Sequence, residues 1–343
     1  MDSPIKTKLA SYLYENLPIR VKRTMLTRRE VLATGGVFLA TALPNTQKIF
    51  ADSPQRTEGR VRLSNGRWLS YREYGNPYGH PVFYFHGTPG SRLEVSLCNQ
   101  NTCCSGARII AVDRPGIGRS SYQKNRRILD WPCDVVELAA ALGYANSSFG
   151  IIGLSGGAPY AAVCAAKIPD RLTHVAIISG HTPPDAYGTC PGIHDKSITT
   201  ISRHQRAGKR VLNVVRQRLD RKPKKVIARV TQQWTTADRK VIYCNPNNYH
   251  NLVMSLREVF RCGPQGIVTD IHLLGSNWGF CLSDIQNVPV SLWQGGCDRI
   301  VTPSMAHYFH KHIAGSDLTI DPQAGHVSMF RNHANEILSR FIF

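Results

Sequence analysis

The chain has 343 residues, 42% of them hydrophobic and 19% charged, a globular rather than a disordered composition. The length allows one large domain with an insertion, or two ordinary domains. The formal charge is +19, no run of about 18 apolar residues offers a conventional membrane span, and the 10 cysteines form no paired C-x-x-C pattern, which argues against a zinc site.

Residues 27–32 read Thr-Arg-Arg-Glu-Val-Leu, and a small, apolar stretch follows from Ala33 to Leu43, with Pro44 after it. Basic, then short apolar, then small residues is the layout of an export signal, and Arg28-Arg29 resemble a twin-arginine leader. Residues 1–51 are thus expected to be a signal and arm, cleaved after Ala42 or Ala51. The mature protein is then periplasmic or extracellular; without a working signal it is cytoplasmic. An exported protein can hold disulfides, but the sequence does not pair them.

From Arg60 the pattern alternates. Arg60 to Leu63 and Arg67 to Tyr74 flank Ser64-Asn65-Gly66, which predicts a hairpin. Val82 to Phe85, Ala107 to Val112, Phe149 to Leu154 and Val175 to Ser179 read as short buried strands. Ile128 to Leu142 and Ala158 to Lys167 read as helices between them, and Cys133 and Cys164 in these helices read as small buried hydrophobes. Short apolar strands alternating with helices predict a parallel sheet covered on both faces, an α/β class.

The rhythm breaks at about His181. From there to Asp270 the chain is polar, basic and helical in composition, which predicts an inserted helical lid over 181–270 between two core segments, 52–180 and 271–343. Between Arg203 and Arg261, fifteen Lys and Arg face only Asp220, Asp238 and Glu258. Such a patch suits contact with an anionic surface, or is simply a solvated helical face. No zinc-finger, RNP-type or P-loop pattern supports nucleic-acid binding. After the lid come a strand at Val290 to Gln294, a helix near Pro303 to Ile313, a strand at Leu318 to Ile320 and a last helix from about Val327 to Phe341.

Gly153-Leu154-Ser155-Gly156-Gly157 fits G-x-S-x-G between a buried strand and a small-residue helix. A serine on that tight turn presents its hydroxyl at the carboxyl edge of the sheet, and the turn needs glycine where a side chain would clash. A hydroxyl is a weak nucleophile until a base takes its proton. Asp298 and then His326 follow downstream, each just past a strand, in the order nucleophile, acid, base. Their expected roles are Ser155 nucleophile, His326 base and Asp298 orienter of the imidazole, with Asp185 and Asp321 as alternative acids. Two backbone N–H groups should hold the oxyanion: Gly156, after the nucleophile, and Thr88, in the loop after His86. His307, His310 and His312 read as a solvated helical face rather than a metal site.

His86-Gly87-Thr88-Pro89-Gly90-Ser91-Arg92, Asp113-Arg114-Pro115-Gly116-Ile117-Gly118-Arg119-Ser120, the Ser155 motif and the Asp298 and Gly325-His326 segments together resemble the α/β-hydrolase superfamily over about residues 60–343. Trp278-Gly279-Phe280 is similar to a segment of that group as well. The resemblance implies an eight-stranded, mostly parallel sheet with flanking helices and a two-step acyl-enzyme mechanism without cofactor or metal. Gly116-x-Gly118 is then a structural loop and not a nucleotide fingerprint. Serine at 155, where dehalogenases and epoxide hydrolases of this fold carry aspartate, argues against those activities. Proline iminopeptidases are similar around residues 86–90, but they have glycine at 88 and tryptophan after the serine. The expectation is a carboxylic ester hydrolase acting on a small ester or amide, with the lid setting preference. Amide or peptide hydrolysis, carbon–carbon bond cleavage and perhydrolysis stay open, as does a non-catalytic binding role, which the intact triad disfavours.

Overall fold

The computed structural model describes residues 58–97 and 106–342. The expected signal at 1–51, and Cys98, Cys103 and Cys104, lie outside the described residues.

Eight strands form one sheet in the order β1-β2-β4-β3-β5-β6-β7-β8: β1 (Glu58–Arg62), β2 (Trp68–Gly75), β3 (His80–Phe85), β4 (Ala107–Val112), β5 (Phe149–Leu154), β6 (Leu172–Ile178), β7 (Val290–Gly295) and β8 (Asp317–Asp321). β2 runs antiparallel to β1 and β4, and all other pairs are parallel. The expected hairpin is β1–β2, closed by the turn through Asn65-Gly66. Continuous apolar strands take the middle: β5 (Phe-Gly-Ile-Ile-Gly-Leu) and β7 are buried at every residue, as strands covered on both faces must be. Charged β1 and β8 take the edges, where water reaches one side.

Two apolar clusters fill the two faces. On one, α1 (Trp131–Ala139), α2 (Ala158–Lys167) and α9 (Pro303–His312) bury residues such as Trp131, Ala161 and Phe309 against Phe83, Ile151 and Leu292. On the other, α10 (His326–Ser339) packs Phe330 and Ile337 against Tyr84, Ile152 and Trp293. The helical prediction for Cys164 includes its burial, but Cys133 is exposed. At about 100° per residue Cys133 lies about 200° from Trp131, off the apolar stripe. Its neighbour Asp134 is buried instead, through a bidentate ion pair with Arg67.

Six helices stand between β6 and β7: α3 (Asp195–Arg203), α4 (Gln205–Arg221), α5 (Pro223–Val230), α6 (Thr236–Tyr243), α7 (Pro246–Val259) and α8 (Gln265–Leu274). Leu219, Ile227, Ile242, Leu256 and Ile267 from this insertion join the second apolar cluster. Among the described residues no helix is long and apolar enough to cross a membrane.

Candidate active site

β5 ends at Leu154, and the chain turns at once into a helical turn at Ser155–Gly157 and then α2. Ser155 takes φ +53°, the left-handed region that non-glycine residues rarely occupy. The turn is tight enough that a Cβ on Gly153 would meet the Gly157 carbonyl oxygen at 2.8 Å, so the glycines are steric requirements.

Asp298 lies in the loop that follows β7, and His326 opens α10 just past β8, at the same carboxyl edge. His326 Nδ1 and Asp298 Oδ2 are 2.7 Å apart. The other carboxylate oxygen, Oδ1, accepts the backbone N–H of Ile300 at 2.8 Å and of Val301 at 3.0 Å. Fixed on one side by backbone, Asp298 can orient the imidazole on the other. Burial disfavours a charged His326, but the Asp298 charge and hydrogen bond, helped by Asp238 and Glu94, outweigh it and raise the pKa above the usual histidine value. All three residues are covered, Ser155 and His326 at 8% exposure and Asp298 at 4%.

The alternative acids are not brought to His326. Asp321 pairs with His333 Nε2 at 3.0 Å and accepts the N–H groups of Gln323 and Ala324. Asp185 is exposed in the loop before α3.

Thr88 and Gly156 face each other. A Cβ built on Gly156 would stand 3.1 Å from the Thr88 nitrogen and overlap the threonine side chain. The loop carrying Thr88 is held by Arg114, which donates to the carbonyl oxygens of His86 and Gly87 and to Thr88 Oγ1. Arg114 is wholly buried over the Tyr160 ring and pairs with Asp270 of α8, which also pairs with Arg126. Burial opposes ionisation of Asp270, but the charges of Arg114 and Arg126 bring its pKa down to about 2. Burial, then the Arg114 charge, keeps His86 well below the usual histidine pKa, so it stays neutral in this network.

Two residues beside the site escaped the sequence. Asp238, on α6 of the insertion and 1% exposed, accepts the N–H groups of His326, Val327 and Ser328 at 2.9, 2.9 and 2.8 Å and the Ser328 hydroxyl at 2.8 Å. It caps α10 from a distant element. A Cβ on Gly325 would collide with this carboxylate, which gives Gly325 its reason. Glu94, seven residues past Gly87, accepts the Gly87 N–H at 2.8 Å and the Tyr84 hydroxyl at 2.9 Å. In sequence both are ordinary acidic residues on amphipathic segments; only a Thr-x-x-Asp at 235–238 marks a local helix start.

Among the described residues no group of three or more His, Cys, Asp or Glu is placed to hold a metal ion. His310 meets Ser316 Oγ and His312 stacks on Tyr308.

A family model described as the alpha/beta hydrolase family matches residues 68–339. A probable proline iminopeptidase of Streptomyces coelicolor is 24% identical over 293 residues, covering 78% of this chain and 89% of that protein. Among solved structures, the esterase EaEST of Exiguobacterium antarcticum superposes with TM-score 0.59 at 16% identity, over 82% of this chain and 97% of its own. A bromoperoxidase of Bacillus anthracis does so with TM-score 0.59 at 18% identity, over 83% and 99%.

Proposed function

The chain belongs to the alpha/beta hydrolase family, and we propose that it is a serine hydrolase of carboxylic esters in which Ser155, His326 and Asp298 form the catalytic triad. The observation that carries this reading is the 2.7 Å Asp298–His326 contact at the strand edge where Ser155 is held in a left-handed turn.

In the first step the Ser155 oxygen attacks the ester carbonyl while its proton passes to His326 Nε2. Asp298, at Nδ1, stabilises the imidazolium. The backbone N–H groups of Thr88 and Gly156 receive the oxyanion, each contributing about 3 kcal/mol. The tetrahedral intermediate collapses, the alcohol leaves with the His326 proton, and the acyl group stays on Ser155. Water, deprotonated by His326, then releases the acid and restores the serine.

A p-nitrophenyl ester series from acetate to palmitate tests this. Turnover by the native chain should fall by about four to six orders of magnitude in Ser155→Ala. An equal rate in both proteins contradicts the assignment.

Amide cleavage next to a free amine is a second reading, supported by the similarity to the probable iminopeptidase over 78% of the chain. Carbon–carbon bond hydrolysis and perhydrolysis use the same arrangement, and the likeness to the bromoperoxidase is one of fold.

We also propose that α3–α8 form a lid whose outer face meets an anionic surface. Of the three acids in its basic stretch, Asp238 is turned in to cap α10 and Glu258 is turned in to Arg92, leaving only Asp220 exposed among the cations. Binding to anionic vesicles that fades as salt rises supports this; absence of binding at low salt contradicts it. We infer export from Arg28-Arg29 and the Ala33–Leu43 stretch. Replacing both arginines by lysine should keep the protein in the cytoplasmic fraction, and unchanged fractionation contradicts export.

A further inference from the structure

The space beside the nucleophile holds a second carboxylate. A methyl group placed on Gly87 would touch Glu94 Oε1 at 3.2 Å and Ser155 Cβ at 3.4 Å, so the two side chains border one small volume. A methyl on Gly90 would meet the same Oε1 at 2.8 Å. The loop thus carries glycine where the carboxylate approaches it.

The two oxygens of Glu94 differ. Oε2 is committed to the Gly87 N–H and the Tyr84 hydroxyl. No hydrogen bond is made to Oε1 among the described residues, and no Lys or Arg there forms an ion pair with Glu94. The residue is only partly buried, and Oε1 is not among the fully enclosed polar atoms that lack a partner. Burial raises the Glu94 pKa, against the pull of its two hydrogen bonds and of the charges on Arg114 and His326.

An ionised carboxylate in this place is a liability for acyl transfer. It adjoins the loop whose Thr88 N–H receives the oxyanion, and like charges at short range repel strongly in a site shielded from water. Protonation removes the repulsion, and so does a cation brought in by the substrate. The cation removes it while forming a charge-assisted hydrogen bond, which is stronger than a neutral one. The unpaired oxygen, its closeness to Ser155 and the lack of an ion-paired Lys or Arg among the described residues favour the second solution.

We propose that Glu94 Oε1 is the recognition site for an ammonium group on the acyl part of the substrate, so that this chain prefers amino-acyl esters or amides over plain acyl ones. The inference rests on the proposed role of Ser155 as nucleophile and adds the substrate class. The basic insertion does not contradict it, because its exposed charges are screened within about 8 Å at physiological salt.

The test uses two phosphonates that differ by one group, diphenyl 2-aminoethylphosphonate and diphenyl propylphosphonate. With either, the Ser155 oxygen bonds to phosphorus and phenol leaves, whatever the natural substrate is. The ammonium reagent should label Ser155 of the native chain at least about tenfold faster than the propyl one. In Glu94→Gln, whose amide oxygen still accepts from Gly87 and Tyr84, that preference should fall to within about threefold of unity. The propyl rate should rise, because the variant removes a negative charge beside the loop that receives the oxyanion, and the melting temperature should hold. A native preference near one, or an equal loss for both reagents in the variant, overturns the proposal while leaving the nucleophile intact. Failure of both reagents to label Ser155 overturns the nucleophile assignment and this proposal with it. Methylumbelliferyl esters of β-alanine and butyric acid give the same comparison in turnover, where the gain for the amine should appear mainly in KM.

Discussion

The backbone N–H of His326 donates to the Asp238 carboxylate at 2.9 Å, so the insertion and the proposed catalytic base share a hydrogen bond. Asp238 thereby does two things at once. It satisfies three N–H groups at the start of α10, and it places a negative charge near the imidazole. Replacing Asp238 by Asn keeps one accepting oxygen and removes the charge. Stability should fall by about 1–2 kcal/mol, as for a lost cap. Turnover should fall by up to about 100-fold from misplacement of the base. The acid limb of kcat/KM should move to lower pH. A drop in melting temperature with no shift of that limb would leave Asp238 a structural cap only.

The pH profile of the native chain follows from the same balance. His326 must be neutral to accept the Ser155 proton, and its folded pKa is raised by Asp298 against the effect of burial. Activity should therefore be present above that raised pKa and be lost as pH falls through it, with a midpoint above the usual histidine value of about 6.5. Asp298→Asn should lower the midpoint and cut turnover by about 10⁴. An unshifted limb in Asp298→Asn contradicts the pairing.

The oxyanion donors are backbone groups, and that makes the two positions respond differently. Thr88→Ala keeps its N–H and should stay within about threefold of native turnover, whereas loss of a donor costs about 10²–10³. Gly156→Ala forces a Cβ into the Thr88 side chain and should show the larger loss. Burst kinetics with a chromogenic ester would separate acylation from deacylation in both variants.

Asp270 holds two buried arginines, Arg114 and Arg126, and through Arg114 the loop of Thr88. Asp270→Asn leaves those cations without their counter-charge and should cost about 3–5 kcal/mol in denaturant unfolding. Because the folded pKa is depressed to about 2, the native contribution is fully present above the unfolded value of about 3.9 and is lost as pH falls through about 2. A variant as stable as the native chain at pH 7 would contradict this account of the network.

The sheet was legible because its physics is local. Apolar runs such as Phe149–Leu154 bounded by turns, and small-residue helices such as Ala158–Lys167, announce themselves within a few residues. The Ser155, Asp298 and His326 positions were legible because each follows a strand in a fixed order. Asp238 and Asp270 were not, because their roles are set by partners far along the chain: Asp238 meets Ser328 and Asp270 meets Arg114. Glu94 meets near neighbours, Tyr84 and Gly87, but only the fold of the loop after β3 brings them to it. Their charges read as surface residues until the fold turns them inward. Cys133 differs for the opposite reason: its neighbours in sequence are apolar, but its own place on the helix faces away from the core.

The most direct test of the central claim is to treat the native chain with a fluorophosphonate and map the adduct by mass spectrometry. The account predicts modification of Ser155, its absence in Ser155→Ala, and slower labelling in His326→Ala. Ester hydrolysis by a chain whose Ser155 remains unmodified would contradict it.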